Sequence, residues 1–135
     1  MPTKISSAIT VVMAKRPPNR VANSTAPMVV IESPADNATA RAGGTVAMRV
    51  RVANFTLRPY AGQSGMTAGV GHYHGYLDDN TGGDYLIAES TTTPTVTIPA
   101  GTAAGAHRLT VSLRYDDHSE VGATSRAVLR VNVTP

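Results

Sequence analysis

Seven short β-capable stretches, each closed by Gly, Pro, Asn or Asp, leave this chain little room for anything but a layered β fold. The most regular is 46–52, where Val46, Met48, Val50 and Val52 point one way and Arg49 and Arg51 the other, the mark of a half-buried antiparallel strand. Residues 107–115 alternate as well, with His107, Leu109, Val111, Leu113 and Tyr115 on one face. Further strands are predicted over 28–31, 70–77, 85–88, 95–98 and 127–133, and no stretch has a helical period. The expectation is an all-β, immunoglobulin-like Greek-key β-sandwich of about seven strands. In Gly105-Ala106-His107 a ring residue follows a glycine turn, as in a tyrosine corner, so His107 is open to two readings, structural corner or metal ligand.

The chain has 135 residues, enough for one domain. We divide it into an extended N-terminal arm, 1–27, and a sandwich domain, 28–135. The arm holds a β-capable segment near 5–14 and a proline-stiffened linker from Lys15 to Arg20. Charge follows the same division. Residues 1–31 carry Lys4, Lys15, Arg16 and Arg20 with no acid, and the rest of the chain is close to neutral. A nucleic-acid footprint over the whole body is therefore not expected. No apolar run approaches the length of a membrane span. The start makes a poor signal peptide, because Lys15-Arg16-Pro17-Pro18 stands where a small-residue cleavage site belongs, so the arm is expected to be part of the working protein. The chain has no cysteine, which excludes disulfides and thiolate metal sites.

All four histidines lie in motif-like surroundings. His72 and His74 are two apart on a predicted strand, so they share a face and can present two imidazoles to one metal. In an immunoglobulin topology the third and sixth strands pair antiparallel. That pairing sets His72 and His74 beside Asp116, Asp117 and His118, and carries His107 to the other end near Asp78 and Asp79. The candidate metal ligands are therefore His72, His74, His118 and Asp116, for a divalent transition metal such as Cu or Zn. The competing reading is a structural polar cluster that binds nothing. The run from Asp78 to Asp84 has the residue types of a calcium loop but lacks its closing glutamate, and it is also ordinary turn chemistry. No G-x-S-x-G elbow or phosphate-binding glycine loop occurs, and no catalytic residue is assigned.

The run G-x-G-H-Y-H-x-Y-L-D from Gly69, then P-x-G with G-x-H-x-L through His107, then D-H-S at His118, resembles a family of small, mostly secreted bacterial β-sandwich domains of unknown function. The resemblance spans about 28–135 and implies an immunoglobulin-like fold, with the family histidines at His72, His74, His107 and His118. Members usually carry a secretion signal, whereas this chain has the basic arm, which favours a protein assembled into something larger. The spacing around His72, His74, Asp78 and His107 is also similar to the two cupin motifs, which would imply an Fe or Mn enzyme in a β-barrel. His107 is displaced from that motif, and Asp78 stands where it has Glu.

These readings lead to a non-enzymatic structural or interaction subunit, extracellular or on a virion surface, such as a filament, tail or capsid-decoration protein. Residues 1–20 would join it to neighbouring copies of itself or to another subunit by strand addition. The alternatives are a secreted Cu/Zn-binding module and a cupin-like metalloenzyme.

Overall fold

The structure, a computed structural model, describes residues 25–78 and 85–135. The arm's β-capable segment and linker, and most of the 78–84 turn, lie outside the described residues.

Among the described residues, ten strands form two layers. One layer holds β1 (Met28–Ser33), β3 (Thr45–Ala47), β4 (Arg49–Ala53) and β8 (Thr95–Thr97). The other holds β2 (Ala38–Arg41), β5 (Thr56–Leu57), β6 (Val70–Leu77), β7 (Ile87–Glu89), β9 (Gly105–Arg114) and β10 (Arg126–Thr134). In the larger sheet the order is β2-β10-β9-β6-β5, with β9 antiparallel to both β10 and β6. The outer edge of β6 takes β5 at Val70 and Gly71, then β7 from Tyr73 to Gly75. These non-sequential neighbours, stacked as two layers with no helix among the described residues, make an immunoglobulin-like β-sandwich.

The alternation expected over 46–52 is present: Val46, Met48 and Val50 are buried, Val52 partly, and Arg49 and Arg51 are exposed. The stretch is nevertheless two strands. Before Met48 it pairs with β8; beyond it, with β1. Met48 and Val50 keep the first side closed through bonds to Pro94 O (2.9 Å) and Thr92 O (2.8 Å). β2 and β5, four and two residues long, were not expected, since neither has room for a hydrophobic period.

The core joins Val29, Val46, Met48, Val50, Val96 and Ile98 of one layer to Tyr73, Leu109, Val111, Leu113, Leu129, Val131 and Val133 of the other. Tyr73 spans the gap and donates its hydroxyl to Thr91 O at 2.6 Å, which satisfies the one polar atom of a ring fully removed from solvent.

The strict in–out alternation expected for 107–115 is only half correct. Leu109, Val111 and Leu113 face the core as read, but Thr110 and Ser112 are buried on the other face. β6 is likewise buried on both faces from Gly71 to Tyr76. A second, smaller packed layer covers the outer face of the large sheet, and the histidines lie in it.

Candidate metal centre

Register brings the cluster together. β6 and β9 run antiparallel with His72 opposite Arg114 and His74 opposite Ser112, so the outward residues of β6 (His72, His74 and Tyr76) line one row. The chain leaves β9 and turns back at once. Tyr115 N–H donates to Ser119 O and His118 N–H donates to Tyr115 O, both at 2.9 Å. This is a three-residue hairpin loop whose last position takes a left-handed conformation. That position is His118, at φ 71°. Glycine is the usual occupant, so the loop holds an imidazole over β6 at a cost in backbone strain.

His72 Nε2 lies 3.0 Å from His74 Nε2, and His74 Nε2 lies 3.0 Å from His118 Nδ1. The three ligand atoms all lie within 4.8 Å of one another. His72 is 0% exposed and His74 3%. His74 Nδ1 pairs with the Tyr76 hydroxyl at 3.0 Å, and in the tautomer with the proton on Nδ1 the lone pair of Nε2 faces its two neighbours. Such a bond from the far nitrogen commonly fixes the tautomer of a metal-binding histidine. Tyr60 covers His72 and His118, each at 4.7 Å between ring centroids, and Tyr85 stacks on His74 at 4.1 Å.

Burial, together with the charge His118 would carry and the Arg114 guanidinium, pushes the His72 imidazole down to about 4. Burial, the neighbouring His72 and Arg114 push His74 to about 3. Both rings are neutral at ordinary pH, the form that coordinates metals. The donor set fits a transition metal. Zn–N bonds are about 2.0–2.1 Å, so two nitrogens 3.0 Å apart can share one ion. The same 3.0 Å contacts are also ring-to-ring hydrogen bonds among the three histidines.

Asp116 lies beside the cluster but does not join it. Its buried carboxylate accepts from Arg58 Nη2 at 2.5 Å and Nε at 3.4 Å, and among the described residues only the three histidines converge. A carboxylate so enclosed is held by the nearest guanidinium. His107 is at the other end of the sheet. Its Nε2 donates to Ala103 O at 2.7 Å and its Nδ1 to Asp78 Oδ2 at 2.8 Å. Of the two readings kept open for His107, the structure selects the corner. The cupin-like quartet is corrected by the same geometry, because β6 holds His72 and His74 well apart from the Asp78–His107 pair and the sheets form an open sandwich rather than a barrel. Beyond Asp78, the calcium-loop reading falls on residues outside those described. An open cleft of about 490 Å³ lies at this end, where Arg130 pairs with Asp36 and His107 with Asp78.

The sequence reading missed Tyr60, Tyr76, Tyr85 and Arg114. Tyr76 was within reach, since it continues the every-second-residue row of His72 and His74. Tyr60 and Tyr85 come from irregular segments whose approach no periodicity announces.

Two consequences are measurable here. His118→Gly removes a ligand while relieving a left-handed non-glycine residue. The metal-free variant should match or exceed the parent in urea, by up to about 1 kcal/mol, while binding metal more weakly. Loss of stability together with retained binding would contradict this geometry. The second concerns pH. His72 and His74 have folded-state values below the ordinary 6.5, so the unfolded chain takes up protons more readily. Metal-free stability should be full above about pH 6.5 and fall as pH drops toward 4, by up to about 1.4 kcal/mol per unit for each ring. The window from pH 6.5 to 5 separates these rings from carboxylates, which titrate lower. His107, raised by its bond to Asp78, works in the opposite sense, so the window is read in a His107→Gln background, where unchanged urea midpoints would mean the rings are not buried as described.

No protein-family profile and no curated protein matches the sequence. Among solved structures, a fibronectin(III)-like module of Clostridium thermocellum CbhA aligns at 12% identity with a TM-score of 0.49, covering 79% of this chain and 96% of that one. The PKD domain of human KIAA0319 aligns at 14% identity with a TM-score of 0.39, covering 86% and 89%. At these scores the class of the protein rests on its own strand order, which defines an immunoglobulin-like β-sandwich module with a histidine cluster on its outer face. Among the described residues, no helix is long and apolar enough to cross a membrane.

Proposed function

We propose that this chain is a non-catalytic β-sandwich module that holds one transition-metal ion, copper or zinc, on His72, His74 and His118. The observation carrying this reading is the convergence of three imidazole nitrogens from two segments of chain, His74 Nε2 lying 3.0 Å from each of the other two, beside the rings of Tyr60 and Tyr85. The Tyr76 hydroxyl holds the far side of the central ring, the kind of outer partner that orients a metal-binding histidine. The module acts as a building unit of an extracellular or virion-surface assembly, in which residues 1–20 dock on a neighbouring copy or another subunit. The cationic arm beside a near-neutral body supports that part of the reading.

The test is metal content and melting temperature of the full chain, before and after chelation. Near-stoichiometric metal, and a melting temperature that falls on chelation and returns on reloading, are the expected results. A chain that takes up neither ion, or whose melting ignores both, is not a metal module. Light scattering of the full chain against one lacking residues 1–20 tests the assembly role: a monomer in both would remove it.

A further inference from the structure

One edge of the large sheet is covered along only part of its length. β10 runs from Arg126 to Thr134, but β2 lies beside it only from Val131 onward. Ahead of that point, no strand covers this side of β10 among the described residues. Arg130 O accepts from Asn37 N–H at 2.8 Å and Thr134 O from Ala42 N–H at 2.9 Å, so the even-numbered residues of β10 turn their backbone groups to this edge. The N–H of Arg130 is taken by Asp36 Oδ1 at 2.8 Å. Arg126 and Val128 precede it in the same series. They offer two N–H and two C=O groups to a notch in line with β2. Beside those groups Val128 leaves a large apolar side chain 55% exposed. Other edges of the sandwich are blunted. β1 is irregular between Ile31 and Ser33 and runs into Pro34, and β8 has three residues between Pro94 and Pro99.

We propose that this notch receives residues 5–14 from the arm of a neighbouring copy, added as a strand beside Arg126–Val128 of β10. This rests on the assembly role above and goes further by naming the surface that takes the arm. Ile9, Val11 and Met13 alternate in the sequence, which gives an added strand one apolar face to set against Val128. Lys15-Arg16-Pro17-Pro18 follows as a stiff spacer that carries the segment away from its own body. The guanidinium groups flanking the notch, Arg126 and Arg130, are paired with Glu120 and Asp36, which lowers their repulsion of a basic arm. With β2 closing one end, a free segment of chain fits where the edge of a second folded sheet would strike β2.

The experiment is light scattering and amide hydrogen exchange of the full chain, in parallel with Val128→Pro and Val128→Lys. The Val128 N–H points away from β9, so proline there removes a donor from the notch and none from the β9–β10 ladder. Lysine leaves the backbone alone and places a charge on the edge. The expected result is a self-associating full chain whose Arg126 and Val128 amides exchange slowly. Both variants should associate at least about tenfold more weakly, with melting temperatures near the parent's. Unchanged association in the folded variants overturns the notch as the docking surface and leaves the assembly role standing. A monomeric full chain with those two amides protected would mean that each arm fills its own notch, which overturns docking on a neighbour. A monomer with both amides in free exchange removes the assembly role as well. If Val128→Pro does not fold, Val128→Lys and the exchange rates decide.

Discussion

His74→Ala is expected to lower metal affinity by roughly 10³-fold, judging from the share of binding energy each ligand supplies in structural zinc sites. His74 is the centre of the cluster: its Nε2 faces both other ligands, its Nδ1 reaches Tyr76, and its ring carries Tyr85. Without it, His72 and His118 keep each other and Tyr60 as neighbours but offer two imidazoles in place of three. The fold should survive. The lost ring lies outside the sandwich core, and Tyr85, 42% exposed, is free to settle into the space, which limits the cost to about 1–2 kcal/mol. The variant should also lose about half of the pH dependence between 6.5 and 5, because one of its two buried imidazoles is gone. Chelator competition and urea unfolding at two pH values read these effects separately. Undiminished metal uptake by His74→Ala would place the metal elsewhere.

The largest effect on stability is expected from Gly71→Ala. A Cβ at Gly71 would lie 1.9 Å from Arg114 O and 2.9 Å from Phe55 Cζ. The carbonyl belongs to the β9 backbone opposite His72, so it cannot withdraw without opening the β6–β9 pairing. Phe55 is core and closely enclosed. Destabilisation of about 3 kcal/mol or more should follow, near the upper end for a single substitution. Gly101→Ala is the matched control: its Cβ meets nothing within 4 Å, and it should stay within about 0.5 kcal/mol of the parent. Equal urea midpoints for the two variants would show that the close approach at Gly71 does not exist. The same opening would pull His72 out of register, so any Gly71→Ala that folds should bind metal poorly.

This glycine also shows how far the sequence could be read. The G-x-G-H-x-H run pointed to one strand over 70–77, and that strand is present with the same bounds. Its glycines have separate duties: Gly69 takes φ +75° in the turn before the strand, and Gly71 admits the neighbouring backbone. Antiparallel pairing was enough to bring His118 to His72 and His74, and to send His107 to Asp78, because register alone decides both. Other features depended on contacts between distant residues. Thr110 and Ser112 read as solvent-facing by their chemistry, yet segments from elsewhere in the chain cover them. Asp116 is a suitable ligand by type and place, but Arg58, far away in sequence, holds its carboxylate. The break at Met48 follows from a change of partner strand, to which alternation is blind.

The large sheet is packed on both sides, and its two sides have different work. Leu109, Val111, Leu113 and Tyr73 on the inner side hold the domain together, while His72, His74 and Tyr76 on the outer side form the site. A single strand, β6, serves both by turning alternate residues to opposite faces. The two packed faces are thereby separated by the thickness of one backbone, although an ion held on the outer row still stabilises the folded chain. The donor set on the outer row is therefore exchangeable, and a lineage or a designer can change what the site holds without renegotiating the interior that keeps the chain folded.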